Sequence, residues 1–421
     1  MSNGKYKSKK FNRVDIDPLR QSFEGETLVV TTDVAKVGMY SGLGDSSGTV
    51  DEIVRWNNSD QLEEFADWID SLGADHVQLV IEPTGTYGDP LRHMAFERGW
   101  EVFLVSPKRL HDAAEVFDGV PSLHDAKAAT LLAKLHAEGL SQPWGAQDAD
   151  ERILAAAIRT MVRYDDFKRR NMGRLEAELA RYWPEVECIL KKDSATLLAL
   201  LVEFKGPEGV AREPARAREL MKKASRSSLS SAKIQATIDT AEATVGQPML
   251  EMEKRMLADL ARHTDELRQR GRLWRRVVED AIKGLEGVEE LGEVIGEATA
   301  AVFRSSIGDF RDFDSPEALL KMFGINLKEK SSGKYKGQLK FTKRGPSEAR
   351  RYLYWATLRM IRLNPVFRAW HKKKIGRDGG LKMKSIGALM RKLVKGLWHV
   401  ARGETFDATK LFDTSKLALN A

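Results

Sequence analysis

Apolar and polar positions change rhythm along the chain, and each rhythm predicts a different architecture. Over residues 26–147, short β-branched runs alternate with amphipathic stretches. Residues 27–34 read as a buried strand, and 37–43 suit a hairpin partner for it. Residues 76–81 and 100–105 are further core strands. The stretch 59–72 places Leu62, Phe65, Ala66 and Ile69 on one helical face, with Ser59 as its cap. Helices are also expected over 90–98, 107–116 and 125–138. Strands alternating with helices predict an α/β layer with a partly parallel sheet.

From residue 148 to 280 the period becomes helical. Leu154, Ile158, Met161, Met172, Leu175 and Leu179 form a row over 150–183, interrupted by Asp165 and Lys168. Met256, Leu260, His263, Leu267, Trp274 and Val277 form a second seam at near-heptad spacing. Two such helices suit an antiparallel hairpin or an intermolecular coiled coil. Between them, 205–247 is rich in Gly, Pro, Ser and Ala and reads as shorter helices or loops. Residues 281–421 open with Gly284 and Gly287 before an apolar helix, a helix-hairpin-helix-like start. Glu286, Glu289 and Glu290 make that turn acidic, which argues against a phosphate contact there. Helices over 349–363, 365–374 and 383–401 follow, the last with a basic stripe of Arg391, Lys392 and Lys395. Residues 1–25 form a basic arm expected to lack order on its own.

Charge sharpens this division. The net charge of +7 conceals a block from Lys321 to Arg402 with 23 lysines and arginines against three acids, so the rest of the chain carries −13. Trp355, Trp370 and Trp398 are spaced through the block. Concentrated positive charge with interleaved aromatics is the footprint of a nucleic-acid partner. No apolar run reaches the roughly 18 residues of a membrane span, and the N-terminus lacks the apolar core of a signal peptide. The one cysteine, Cys188, excludes intrachain disulfides and a multi-Cys zinc site. The expected compartment is the cytoplasm, in association with the nucleoid.

Two constellations carry candidate chemistry. Asp33 and Glu82 end the first and second predicted strands, and Asp125 opens a helix. Acids at adjacent strand ends converge on one sheet edge, and hard oxygens grouped this way bind Mg²⁺. Far downstream, residues 329–351 read EKSSGKYKGQLKFTKRGPSEARR. Ser331 and Ser332 sit on a glycine-bounded turn among cations, an arrangement suited to attack on a phosphodiester or to gripping phosphates.

These segments together resemble the DEDD recombinases with a RuvC-like nuclease domain, a family that includes bridge-RNA-guided insertion-sequence transposases and Piv-type DNA invertases. The carrying stretches are TTDVAK at Asp33, IEPTGTYGDPL at Glu82, SLHDAKAATLLAKL at Asp125, the 284–325 segment and SSGKYKGQLKFTKRGPSEARRYL. The resemblance implies a basic arm (1–25), an α/β RNase-H-like (RuvC-like) domain (26–147), a mainly α-helical coiled-coil insert (148–280) and a helical C-terminal transposase domain (281–421). It implies a serine nucleophile, Ser332 in preference to Ser331, that links covalently to a DNA strand. It implies Mg²⁺ on Asp33, Glu82 and Asp125, donor and target DNA, a structured bridge RNA, and a homodimer or homotetramer in which the acids of one subunit work with the serine of another. Lys334, Lys336, Lys343, Arg344, Arg350 and Arg351 are then expected at DNA phosphates, and the basic arm adds nonspecific contacts.

The family's Asp-x-x-Asp-Ala element has one acid here. Taking Asp125 as the first puts the second on Ala128, which is the favoured register; taking it as the second puts the first on Ser122. Asp118 or His124 would then supply a missing ligand. A metal-dependent junction nuclease without a covalent intermediate, and an inactive nucleic-acid-binding relative, are the alternative readings.

Overall fold

The chain divides between Asp148 and Ala149 into two units. The computed structural model describes residues 6–417, except 84, 147, 284, 286, 330, 333, 334 and 338. The first unit runs β1 (Lys9–Lys10), α1 (Ile16–Phe23), β2 (Thr27–Asp33), β3 (Gly38–Gly44), β4 (Val50–Asn57), α2 (Leu62–Asp70), β5 (His76–Ile81), α3 (Asp89–Glu97), β6 (Glu101–Val105), α4 (Pro107–Ala113), α5 (Asp125–Ala137) and β7 (Ser141–Trp144). Its seven strands lie in the order β1-β4-β3-β2-β5-β6-β7. Strands β2, β3 and β4 form an antiparallel meander, while β5 and β6 run parallel to β2.

Strict alternation on β2 explains the layers. Leu28 and Val30 enter one core with Met39, Trp56 and Phe65, and Val29 enters another with Val80, Leu131 and Leu132. A strand buried on both faces must be covered twice, here by helices on either side. The result is a mixed α/β unit with a central mixed sheet, compatible with an RNase-H-like arrangement. Strand β4 is not anticipated by the sequence reading, because Asp51 and Glu52 break its apolar rhythm before Ile53, Val54 and Trp56. Ser59 does not cap α2; Gln61 occupies that position, without a side-chain cap. The basic arm is corrected more substantially. Its described part joins the fold, with Lys9 and Lys10 pairing with β4 and Phe11, Leu19 and Phe23 buried in the first core. Apolar side chains between the basic positions supply the burial that offsets the entropy of ordering it.

The second unit begins with a long helix, α6 (Ala149–Tyr182), followed by the short helices α7 (Val186–Ile189), α8 (Ala195–Phe204), α9 (Pro207–Arg212), α10 (Pro214–Ala224) and α11 (Ser231–Glu242). The second long helix is α12 (Glu251–Ala281), and α13 (Val288–Ile295), α14 (Glu297–Ile307) and α15 (Pro316–Met322) come next. Four two-residue strands follow, β8 (Leu327–Lys328), β9 (Ser331–Ser332), β10 (Tyr335–Lys336) and β11 (Lys340–Phe341), before α16 (Ser347–Leu363), α17 (Pro365–Arg377) and α18 (Lys382–Val400). Helices α6 and α12 pack antiparallel. Asn171 fixes their register by donating to the Thr264 hydroxyl (2.7 Å) and to the Leu260 carbonyl (3.1 Å). A buried amide satisfied in only one alignment disfavours slippage. One end of the pair enters a core with α7–α11, and the other enters the core of α13–α18.

The α12 seam is rotated from its expected position. Leu257, Ala258, Ala261, Thr264, Leu267 and Val278 face inward, whereas Met256 and His263 are exposed. Small residues at 258 and 261 let the helices approach closely, which outweighs the larger side chains one position away. Asp165, which seemed an interruption of the α6 row, accepts from the Tyr352 hydroxyl at 3.1 Å and pairs with Arg275 at 3.3 Å. Gly284 and Glu286, part of the proposed glycine hairpin, lie outside the described residues; Gly287, at φ +79°, caps α13.

Candidate active site

Strand register builds the acidic edge. Parallel pairing of β2 with β5 matches Thr32 to Ile81, so Asp33 and Glu82 are the next residues along neighbouring strands. Helix α5 is pinned across the same strand, since the Thr31 hydroxyl donates to the Ala129 carbonyl at 2.7 Å. Asp125 opens that helix one turn earlier. Burial, then the charges of Asp125 and Glu82, push the Asp33 carboxyl up to about 6. The charges of Asp125 and Glu82 therefore reach Asp33. Among the described residues, no group of three or more His, Cys, Asp or Glu side chains is gathered closely enough to hold a metal ion.

The two supplementary ligands named from sequence are engaged elsewhere. Asp118 accepts from the buried Lys127 ammonium at 2.8 Å and from the Tyr6 hydroxyl at 2.8 Å. The Lys127 hydrogen bond, with the Val120 amide, brings its carboxyl down to about 2. His124 caps α5, its Nδ1 accepting from the Lys127 amide at 3.3 Å, and its ring meets Tyr6 edge-on. Of the two positions offered for a further acid, Ala128 is 3% exposed among Val29, Val80 and Leu131, whereas Ser122 is exposed just before Asp125. The favoured Ala128 register thus points into the helix–sheet core.

The serine segment is a hairpin built in two steps. Lys340–Phe341 of β11 pairs antiparallel with Leu327–Lys328 of β8, and further out Ser331–Ser332 of β9 pairs with Tyr335–Lys336 of β10. The side chains of Ser331, Ser332 and Lys336, and all of Gly333 and Lys334, lie outside the described residues. The return strand is clamped at its base. Thr342 and Lys343 donate backbone N–H groups to the carbonyls of Asn326 (3.0 Å) and Gly324 (2.8 Å). A Cβ on Gly345 would lie 2.1 Å from the Met322 carbonyl oxygen, so only glycine permits this approach.

Arg350 closes the clamp. Its guanidinium donates to the carbonyls of Gly345 at 2.6 Å and Phe323 at 3.3 Å. Arg351 pairs with Asp166 at 2.7 Å and lies over the Trp355 ring. Both arginines, expected at DNA phosphates, are thus occupied in holding α16 to its surroundings. Lys343 and Arg344 are exposed beside the hairpin. Two members of the basic stripe on α18 are also tied inward, Lys392 donating to the Leu411 carbonyl and Lys395 pairing with Glu317. Trp398 donates to the Phe313 carbonyl at 2.8 Å, and Trp370 packs on Phe412. Of the three tryptophans in the basic block, Trp355 is the most exposed, and Trp370 and Trp398 are partly buried. The clamp residues Arg350 and Gly345 were not readable as such, because their partners are backbone carbonyls.

Comparison with known proteins falls on this half of the chain. Residues 293–372, from α13 through the hairpin into α17, match the family described as transposase IS116/IS110/IS902. The chain is also 30% identical over 105 residues to the pilin gene-inverting protein of Moraxella bovis, a match covering 24% of the chain. It spans about a third (32%) of that relative's length. Over these segments the chain is similar to the IS116/IS110/IS902 transposases and to the pilin gene-inverting protein.

Proposed function

We propose that the chain is a DNA recombinase or transposase working through a serine-linked intermediate, with help from the acidic cluster. The observation that carries this is the serine hairpin itself. It lies inside the matched segment, on a clamped base, with Lys343 and Arg344 exposed beside it. In the proposed step a serine oxygen, Ser332 in preference to Ser331, attacks a backbone phosphorus. A Ser–O–P bond forms, one P–O bond to a sugar breaks, and the departing sugar oxygen takes up the proton. A sugar hydroxyl of the exchanging strand then attacks the phosphoserine and releases the serine. The number of phosphoester bonds is unchanged, so exchange needs no external energy source. Lys343 and Arg344 hold the flanking phosphates and offset charge on the phosphoryl oxygens.

A divalent cation, Mg²⁺ in this reading, suits the acidic edge in donor type alone: three carboxylates, not gathered closely in this structure, with Asp33 raised by burial and then by the charges of Asp125 and Glu82. Asp33, Glu82 and Asp125 would hold it, and when bound it supplies positive charge to phosphate oxygens. Asp118 is not part of this set, being neutralised by Lys127. In the same reading the first unit is RuvC-like, 148–280 is the coiled-coil insert, and 281–421 is the transposase domain with a helix-hairpin-helix-like start. A structured bridge RNA pairs with donor and target DNA, and the chain works as a homodimer or homotetramer. Base pairing rather than protein contacts then sets the target sequence.

The decisive experiment traps the protein–DNA adduct on a denaturing gel, using labelled duplexes that carry element ends with the flanking non-coding RNA supplied. Ser332→Ala should abolish the adduct while leaving DNA binding intact, and Ser331→Ala should leave the adduct in place. Mg²⁺-dependent cutting without any adduct would instead establish the junction nuclease.

A further inference from the structure

We infer that a pocket between α17 and the segment after α18 holds one unstacked base of a single-stranded nucleic acid. The inference rests on the reading that the chain handles nucleic acid, and on none of its serine or metal chemistry. Trp370, Lys373, Lys374 and Arg377 fall at i, i+3, i+4 and i+7 of α17, so one face of the helix carries an aromatic ring and three cations. Asp413 and Leu417 supply the facing wall, and the six residues line a cavity of about 210 Å³. That wall is pinned from behind. Phe412 is buried against Phe367 and Trp370, with ring centroids 5.2 and 5.5 Å away. Lys392 of α18 lies over the Phe412 ring at 4.7 Å and donates to the Leu411 carbonyl.

Size and chemistry select the occupant. A drug-sized ligand takes about 300 Å³ or more, so this cavity suits a single flat ring system. Trp370 offers that ring a stacking surface, and stacking on an aromatic side chain tolerates any base. Three cations against one carboxylate in the lining disfavour a positively charged ring and favour one tethered to an anion. Lys374 is held in place: its Nζ lies 5.9 Å from the Trp370 ring centroid and donates to Asp378 at 2.7 Å. Arg377 and Lys384 converge on the same carboxylate, at 3.2 and 3.5 Å, while their side chains stay 68% and 62% exposed. Asp378 thus gathers positive charge from the pocket mouth to the start of α18. A free nucleotide needs cations only at the pocket. A strand needs them beside it too, at the phosphates that flank the inserted base. A duplex does not reach Trp370 in this way without unpairing and unstacking a base.

Photocrosslinking on the full chain tests this. A single-stranded oligonucleotide carrying one 5-iodouracil, made as DNA and as RNA, is irradiated on the protein, and the crosslink is mapped by peptide mass spectrometry. At least one of the two strands is expected to crosslink at Trp370. Trp370→Leu should raise the dissociation constant of that strand by about tenfold or more, and Trp370→Phe should recover part of the loss. Both variants should bind a duplex of the same sequence as the wild type does, which separates a lost base contact from lost folding. If Trp370→Leu loses the duplex as well, the wild-type crosslink decides alone. Crosslinks that avoid Trp370, or a Trp370→Leu variant that holds the strand as tightly as the wild type, would overturn the proposal. AMP that competes for the Trp370 crosslink as strongly as the strand itself would assign the pocket to free nucleotides and overturn its place on a strand. Failure here with duplex binding intact leaves the adduct experiment, and hence the recombinase reading, untouched; a chain that binds neither strand nor duplex would remove both.

Discussion

Asp33 shows how a single carboxyl reports on its surroundings. Its folded value of about 6 lies above the ordinary 3.8. As pH rises from 4 to 6 the unfolded chain therefore ionises first, and unfolding gains on folding. The associated loss is on the order of 2 kcal/mol. Asp33→Asn removes the effect. Denaturant melts in the presence of a chelator, from pH 4 to 7, should show wild-type stability declining relative to the variant across that window, and added Mg²⁺ at pH 7 should recover it. Parallel profiles would mean that Asp33 is not under tension. The neighbouring register question has a structural answer that sequence lacked. As strings the Leu-Ala helix favours Ala128 over Ser122, whereas burial of Ala128 and exposure of Ser122 point the other way. Ala128→Asp should cost about 3 kcal/mol or more by burying a carboxylate among Val29 and Val80. Ser122→Asp should melt like the wild type and bind Mg²⁺ more tightly, measured by calorimetry.

Elements were legible where periodicity was strong, and faces were not. The α6 row and the strands at 27–33, 76–81 and 101–105 follow their hydrophobic patterns closely. The pattern could not say which side of α12 meets α6, because both sides carry apolar residues at helical spacing. Nor could it separate an arginine that grips DNA from one that grips the chain. Arg350 decides this for the hairpin. Replacing it with alanine leaves the Gly345 and Phe323 carbonyls without their donor and should cost about 1 kcal/mol of stability. Amide exchange at Thr342 and Lys343, whose N–H groups close the hairpin base, should quicken at the same time. Arg351→Ala should leave those two amides protected, because its partner Asp166 belongs to α6. Equal acceleration in both variants would mean that α16 loosens as a whole and that Arg350 has no particular hold on the hairpin.

Across the whole molecule, charge divides as the units do. Residues 1–148 carry 14 lysines and arginines against 24 acids, a net charge of −10, and 149–421 carry +17. DNA is therefore expected to be held mainly by the second unit, but total charge overstates the grip. Many of its cations are already paired, among them Arg351, Lys374, Lys395 and Arg275. The cations that matter are those with nothing better to bind, and salt dependence counts them. Each phosphate neutralised contributes about 0.9 to the slope of log K against log salt on duplex DNA. Lys343→Ala/Arg344→Ala should flatten that slope by about 2 in filter-binding or anisotropy titrations at several salt concentrations. Arg350→Ala should leave the slope unchanged even if affinity falls, because its guanidinium is spent on backbone carbonyls in the free protein. A slope that moves with Arg350 instead would show that DNA displaces those carbonyls, making the clamp and the phosphate grip alternative states of one side chain.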